Sequence, residues 1–205
     1  MAFTFFLCVV SASNQSAGKF FKHPLTLILG LVLLIICMCV IIESKERRTT
    51  VPYNYFWLAG ATLGECTFLA ATAADLTVFS VYMAILATCI SVAGLFVAAL
   101  YTASSVDRDV LIRNMVKGMI VSFVINLAAV IFILFFLNPK DKAAVFGISC
   151  VMCLVSSAYI MFALLFIIIP GFEDQDDYIL GALRLYLEIA RLFYWLMKIL
   201  GKKKK

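Results

Sequence analysis

Residues 24–42 read PLTLILGLVLLIICMCVII and carry no charge. About 20 apolar residues, each rising ~1.5 Å along a helix, match the hydrocarbon thickness of a bilayer. Two further uncharged blocks follow: 118–139, GMIVSFVINLAAVIFILFFLNP, and 143–172, AAVFGISCVMCLVSSAYIMFALLFIIIPGF. A soluble fold would have to hide all three at once. Of the 205 residues, 64% are hydrophobic and 14% charged, with a mean hydropathy of +1.06. An ordinary soluble domain is about 45–50% apolar. The composition therefore assigns an integral membrane protein whose first partner is the lipid bilayer. The formal charge of +5, concentrated in the last four lysines, points to a membrane surface rather than to nucleic acid.

The blocks lack the period-two alternation of a transmembrane barrel, so the spans are helices. Working outward from 24–42, spans are expected at 53–74, 77–101, 116–137, 145–169 and 178–200. Pro24 stands where a helix can begin without needing its missing N–H. Tyr53, Tyr55 and Trp57 read as an interfacial belt at the mouth of the second full span. Residues 1–12, MAFTFFLCVVSA, are apolar but too short to cross. They read as a short anchor or as the tail of a first span. The fold class is thus all-α: a polytopic bundle of six full helices plus a short N-terminal segment. It forms one transmembrane domain over 1–205, with a basic linker at 13–23 and a lysine tail at 202–205. The small residues of 59–65, AGATLGE, and 85–99, ILATCISVAGLFVAA, allow helix backbones to approach closely in lipid.

Cys8, Cys37, Cys39, Cys66, Cys89, Cys150 and Cys153 all fall in apolar stretches. They read as small hydrophobes, not as a disulfide framework. With one histidine in the chain, no metal-ligand cluster is expected, and no cofactor. Nucleophile–base arrangements and nucleotide-binding loops are also missing from the sequence, so an enzyme is not expected. Glu173, Asp174, Asp176 and Asp177 lack a calcium-loop spacing and read as a solvated loop. Asp75 reads as a solvated turn residue, His23 as a surface residue, and Asn126 as a weak bridge between helices.

The informative charges lie in the last span, GALRLYLEIARLFYWLMKILG, residues 181–201. Glu188 follows Arg184 by four residues and precedes Arg191 by three, which puts all three on one helical face. Two readings stand. In one, the stripe faces the bundle interior, where ionisable groups mark an ion path or an internal salt bridge. In the other, the helix lies at the interface and the stripe meets headgroups. With guanidinium groups on either side, Glu188 is expected to be paired and quiet. Glu65 is the second acid within a span and has no basic residue in its own helix. Burying a carboxylate is costly unless something pairs with it, so Arg184, Arg191 or a water-filled cavity is expected beside it. Glu65, Arg184, Glu188 and Arg191 are therefore the candidate ion-path or buried charge network.

Charge balance bears on the last helix. Lys19, Lys22, Lys140 and Lys142 share one side; Lys45, Arg47, Arg48, Arg108, Arg113 and Lys117 share the other. The excess of basic residues marks the cytosolic side. The balance becomes decisive only if the tetralysine tail joins the second group, which favours a re-entrant or shallow final helix. Lys202 and Lys203 also match a dilysine retrieval signal; the alternative is a basic stop that pairs with anionic lipid.

The stretch 176–201, DDYILGALRLYLEIARLFYWLMKILG, resembles the last helix of the Bax-inhibitor, or Lifeguard, family. That helix starts with an acid and a tyrosine, continues through Ala-Leu-Asn-Leu-Tyr and an acid-Ile step, and reaches Asn-Leu-Phe before Leu-Gly. Residues 23–39, HPLTLILGLVLLIICMC, resemble the family's second helix. VPYNYFWLAGATLGECTFLAATAA (51–74) resembles its third and VYMAILATCISVAGLFVAALYT (81–102) its fourth. The likeness covers roughly 22–201 and implies a seven-helix fold whose last helix is central and enclosed, against the charge-balance argument. It also implies residence in the endoplasmic reticulum or Golgi, passive leak of calcium as the permeating ion, restraint of cell death, and membrane-protein partners in death or calcium signalling. The acid of the last helix maps to Glu188 and the glutamate of the third helix to Glu65. Three departures stand out. Ala163 occupies the place of the aspartate that partners the last-helix acid in gating with pH. Arg184 and Arg191 replace two asparagines, and guanidinium groups raise an electrostatic barrier to cations. The first helix is largely absent, as in a divergent member with a shortened N-terminus. A non-conducting membrane regulator with an inactivated di-acid gate is therefore the alternative to a calcium leak.

Overall fold

The computed structural model describes residues 1–44, 46, 49–105, 142–168 and 178–204. Among them are seven helices and no strand: α1 (Ala2–Ser13), α2 (Gln15–Lys22), α3 (Pro24–Glu43), α4 (Tyr53–Ala73), α5 (Val78–Ser105), α6 (Lys142–Ile168) and α7 (Tyr178–Leu200). The protein is all-helical, as expected. The expected span 116–137 with Asn126, the loop bearing Arg108 and Arg113, and the acidic loop 172–177 lie outside the described residues. Three of the described helices contain segments long and apolar enough to cross a membrane: Pro24–Glu43, Val78–Val97 and Gly147–Ile168. The chain is an integral membrane protein.

Each helix begins and turns for a local reason. Pro24 occupies the first turn of α3, where an N–H would have no intrahelical partner. Asn14 separates α1 from α2, and its side-chain oxygen accepts hydrogen bonds from the backbone N–H groups of Ser16 and Ala17, the usual N-cap arrangement. The basic linker is thus mostly helical.

The helices α3 and α4 pack antiparallel through glycine. A Cβ built on Gly64 would lie 2.6 Å from the carbonyl oxygen of Gly30 and 2.8 Å from Leu34 Cβ; one on Gly60 would lie 2.6 Å from Cys37 Sγ. Lipid supplies no hydrophobic drive between helices, so such backbone-to-backbone approach is what holds them. The outer face of α3, with Leu25, Ile28, Leu29 and Ile36 at least half exposed, is left to the acyl chains.

α7 runs through the middle of this arrangement. Near its start, Ile179 and Leu183 pack with Cys37, Ile41 and Ala61. On its α6 side, Leu192 packs with Ile160, Leu164, Leu165 and Ala99. Towards its end, Ala190, Phe193 and Met197 pack with Cys8, Ala12, Leu69, Ala73, Leu76, Val81 and Ala84. It therefore touches α1, α3, α4, α5 and α6. It runs parallel to α4 along that helix's length, and this overturns the expectation of a re-entrant or shallow final helix. Gly201–Lys204 ends against the α4–α5 turn: Thr77 N–H donates to Lys202 O at 2.8 Å and Lys204 N–H to Asp75 O at 3.0 Å. Lys22 pairs with Asp75 at the same end. The tail thus sits with the basic linker. The positive-charge count pointed the other way because basic residues are plentiful on both sides, whereas burial of an apolar face on α7 favours full insertion.

Residues 1–12 are not a peripheral anchor. Thr4, Cys8, Ser11 and Ala12 of α1 are buried, and Phe5 meets Phe193 edge-on at 4.9 Å between ring centroids. The three aromatics at the start of α4 differ in burial. Tyr53 and Tyr55 are exposed, but Trp57 packs inward against the Ile41–Ala61–Leu183 cluster.

Candidate functional site: a charge cluster beside the central helix

The periodicity of α7 sorts its side chains into two faces. Leu183, Tyr186, Ala190, Phe193 and Met197 are buried. The charged stripe lies along the other side, at the rim of the packed core. There Arg191 Nη1 donates to both oxygens of Glu188, at 2.9 and 3.0 Å. The side chains are 40% and 14% exposed respectively, so the carboxylate is the more enclosed partner. The Arg191 guanidinium also lies 5.9 Å from the centroid of the Tyr159 ring on α6, within cation–π range. One arginine is thereby held from two directions.

Glu65, half-buried on α4, lines a cavity of about 340 Å³ together with Leu34, Met38, Phe68, Met152, Leu187, Arg191, Tyr194 and Trp195. Arg191 acts on Glu65 electrostatically as well as on Glu188. The cavity draws on α3, α4, α6 and α7, and among the described residues its charged lining is Glu65 and Arg191. Arg184 is one turn away and exposed. It lines an adjoining cavity of about 400 Å³ with Met38, Ile42, Leu180, Leu183 and Leu187. Met38 and Leu187 belong to both, so the two hollows adjoin between α3 and α7. The fold thus brings Glu65, Arg191 and Glu188 together and leaves Arg184 in the neighbouring hollow. Ala163 on α6 supplies no second carboxylate.

A polar node beneath this cluster has no counterpart in the sequence reading. Tyr186 OH donates to Thr62 O at 3.3 Å and lies 3.2 Å from Thr4 Oγ1. Cys66 Sγ donates to Thr4 Oγ1, also at 3.2 Å. Ser11 Oγ donates to Ala70 O at 2.7 Å. These bonds tie α1, α4 and α7 together where lipid and water are both excluded. The signal available in sequence was weak: two hydroxyls in a short apolar segment and one tyrosine on the helix face opposite the charges. Cys8, Cys37 and Cys66 are buried, whereas Cys39 and Cys89 are exposed on the outer surfaces of α3 and α5. Among the described residues no group of three or more His, Cys, Asp or Glu could hold a metal ion.

A bundle of apolar helices around a central helix, with Glu65 and Arg191 lining one cavity and Glu188 paired to that arginine, defines a polytopic integral membrane protein with a charged interior site. The family model for the inhibitor of apoptosis-promoting Bax1 matches residues 1–205, the N-terminal segment included. The chain belongs to the Bax-inhibitor family. No curated protein matches it.

Proposed function

We propose that the chain modulates passive calcium leak across an internal membrane, endoplasmic reticulum or Golgi, and through it stress or cell-death signalling, without catalysing a reaction. The single observation that supports this reading is the shared cavity of Glu65 and Arg191, with Arg191 clamped on Glu188. The Glu65 carboxylate in the hollow offers oxygen ligands to a hard cation. The Arg191 guanidinium in the same lining opposes its entry. Arg191 then acts as a fixed brake, and leak through the native chain is slow. A unit charge ~10 Å from a divalent ion contributes ~3.3 kcal/mol at an effective dielectric of ~20. Arg191→Asn should therefore raise calcium efflux from reconstituted liposomes by roughly a hundredfold or more. If neither the native chain nor this variant leaks faster than empty vesicles, at acidic or neutral pH, the proposal fails.

A second reading, a non-conducting regulator that binds membrane proteins of death or calcium signalling, is favoured by Ala163, which leaves Glu188 without a carboxylate partner on α6. Under that reading Ala163→Asp combined with Arg184→Asn and Arg191→Asn creates a calcium flux that the native chain lacks. Equal flux from the native and altered chains rejects it.

A further inference from the structure

Six lysines from three separate stretches gather at one end of the bundle. Lys19 and Lys22 come from α2, Lys198 from the last turn of α7, and Lys202, Lys203 and Lys204 from the tail. All six are exposed. The nearby acid, Asp75, is already paired with Lys22. The gathering is built by the fold. α2 is seated across the end of α4, with a Cβ on Gly18 placed 3.2 Å from Ala74 Cβ and 3.1 Å from Ser11 O. The tail is pinned to the α4–α5 turn: Lys202 N–H donates to Ser80 Oγ at 3.0 Å, its carbonyl accepts from Thr77 N–H at 2.8 Å, and Lys203 bridges to Leu76. Lys204 donates its backbone N–H to Asp75 O and its ammonium to Ala74 O, both at 3.0 Å. Lys198 lies over the Tyr194 ring, 5.2 Å from its centroid, within electrostatic range of Lys203 and Asp75.

A tail whose backbone is fixed this way is not a loose polybasic string. Its free ammonium groups are held at one level beside the ends of α2 and α7. Phe20, beside Lys19, and Phe79, beside Ser80, flank that level, 62% and 72% exposed, and acyl chains are suited to cover them. An apolar rim under a plane of cations matches the boundary between acyl chains and headgroups.

We infer that this end of the bundle is a binding site for anionic glycerophospholipid headgroups, assembled by docking of the lysine tail onto the α4–α5 turn. The phosphate and carboxylate oxygens of such a headgroup accept hydrogen bonds from the ammonium groups, and the lipid's chains cover Phe20 and Phe79. The docked tail also withholds the backbone of Lys202 and Lys203 from any receptor that needs it extended and free.

The test uses the full chain reconstituted in phosphatidylcholine bilayers, with spin-labelled phosphatidylserine competing against spin-labelled phosphatidylcholine for the protein surface. Each lysine near the surface is worth about fivefold in association with anionic lipid. The native chain should prefer phosphatidylserine, less so at high salt. Replacing Lys202, Lys203 and Lys204 by Gln should lower the preference at least tenfold, and replacing the same three by Arg should preserve it. The decisive variant inserts a short Gly-Ser linker between Gly201 and Lys202, which keeps every charge but releases the tail. Its preference should fall towards that of the Gln variant, and trypsin should cut its tail faster than the native one. Undiminished preference in the linker variant, or equal trypsin rates in the two chains, overturns the inference.

Discussion

At the residue scale, Arg191 carries the most weight. It bonds both oxygens of Glu188, faces Tyr159 and shares a cavity with Glu65. Removing one member of a partly enclosed pair strands the other. Glu188→Leu alone should lower stability by ~1–2 kcal/mol; the fully buried limit of ~3–5 kcal/mol is discounted because Arg191 is 40% exposed. Adding Arg191→Met to that variant should recover part of the loss. Thermal melting of the four chains of this double-mutant cycle in detergent reads the coupling, and additive losses would mean that the pair contributes nothing. Tyr186→Phe is a separate case, because it removes one hydroxyl that serves Thr4 and Thr62. A buried hydrogen bond contributes ~0.5–1.5 kcal/mol and an unsatisfied partner costs ~1–3. A loss of ~1–2 kcal/mol is expected in the same assay. The Glu188–Arg191 pair was legible in the sequence because a three-residue separation fixes neighbours on any helix. The Tyr186 node was not, since nothing local relates residue 4 to residue 186.

At the element scale, glycine sets how closely α3 and α4 approach. The atoms that a Cβ on Gly64 would meet include the Gly30 carbonyl oxygen and the Leu34 backbone nitrogen, which cannot rotate away. Gly64→Ala must therefore push the helices apart. Overpacking of this kind costs ~1–3 kcal/mol, and the substitution should lower the melting temperature although alanine is the better helix former. Gly94→Ala is the control: among the described residues nothing lies within 4 Å of its would-be Cβ, so that change should be neutral or mildly stabilising. Equal effects at the two positions would remove the packing argument. The small-residue stretches in the sequence signalled close approach. They did not say that Gly64 would meet Gly30, nor that Trp57 would pack one side against the Ile41–Ala61–Leu183 cluster.

For the whole molecule, the course of α7 decides the topology. Its end lies with Asp75 and Lys22, opposite the α3–α4 connection that contains Thr49 and Thr50. In sealed vesicles of cysteine-depleted protein, thiols introduced at His23 and at Lys204 should react with an impermeant reagent from the same side, and one at Thr49 from the other. Labelling of Lys204 and Thr49 from one side would restore the shallow-helix arrangement. The docked tail adds a consequence for stability. Ser80→Ala removes the acceptor for Lys202 N–H and should quicken tryptic release of the tail while leaving the bundle's stability within about 1 kcal/mol of native.

The sequence by itself determined that the chain is an all-helical integral membrane protein, where the long described helices begin and end to within a few residues, and that Glu188 and Arg191 are neighbours. These follow from hydropathy, helix period and local spacing, all of which act within a few turns. Only the tertiary structure decided that α1 is wedged into the core, that α7 runs the length of the bundle, that Glu65 rather than Arg184 joins the pair, and that the lysine tail closes onto the α4–α5 turn. Each of those depends on which surfaces meet across the bundle. In lipid that choice rests on steric fit and scattered hydrogen bonds rather than on apolar burial, and neither leaves a periodic mark in the chain.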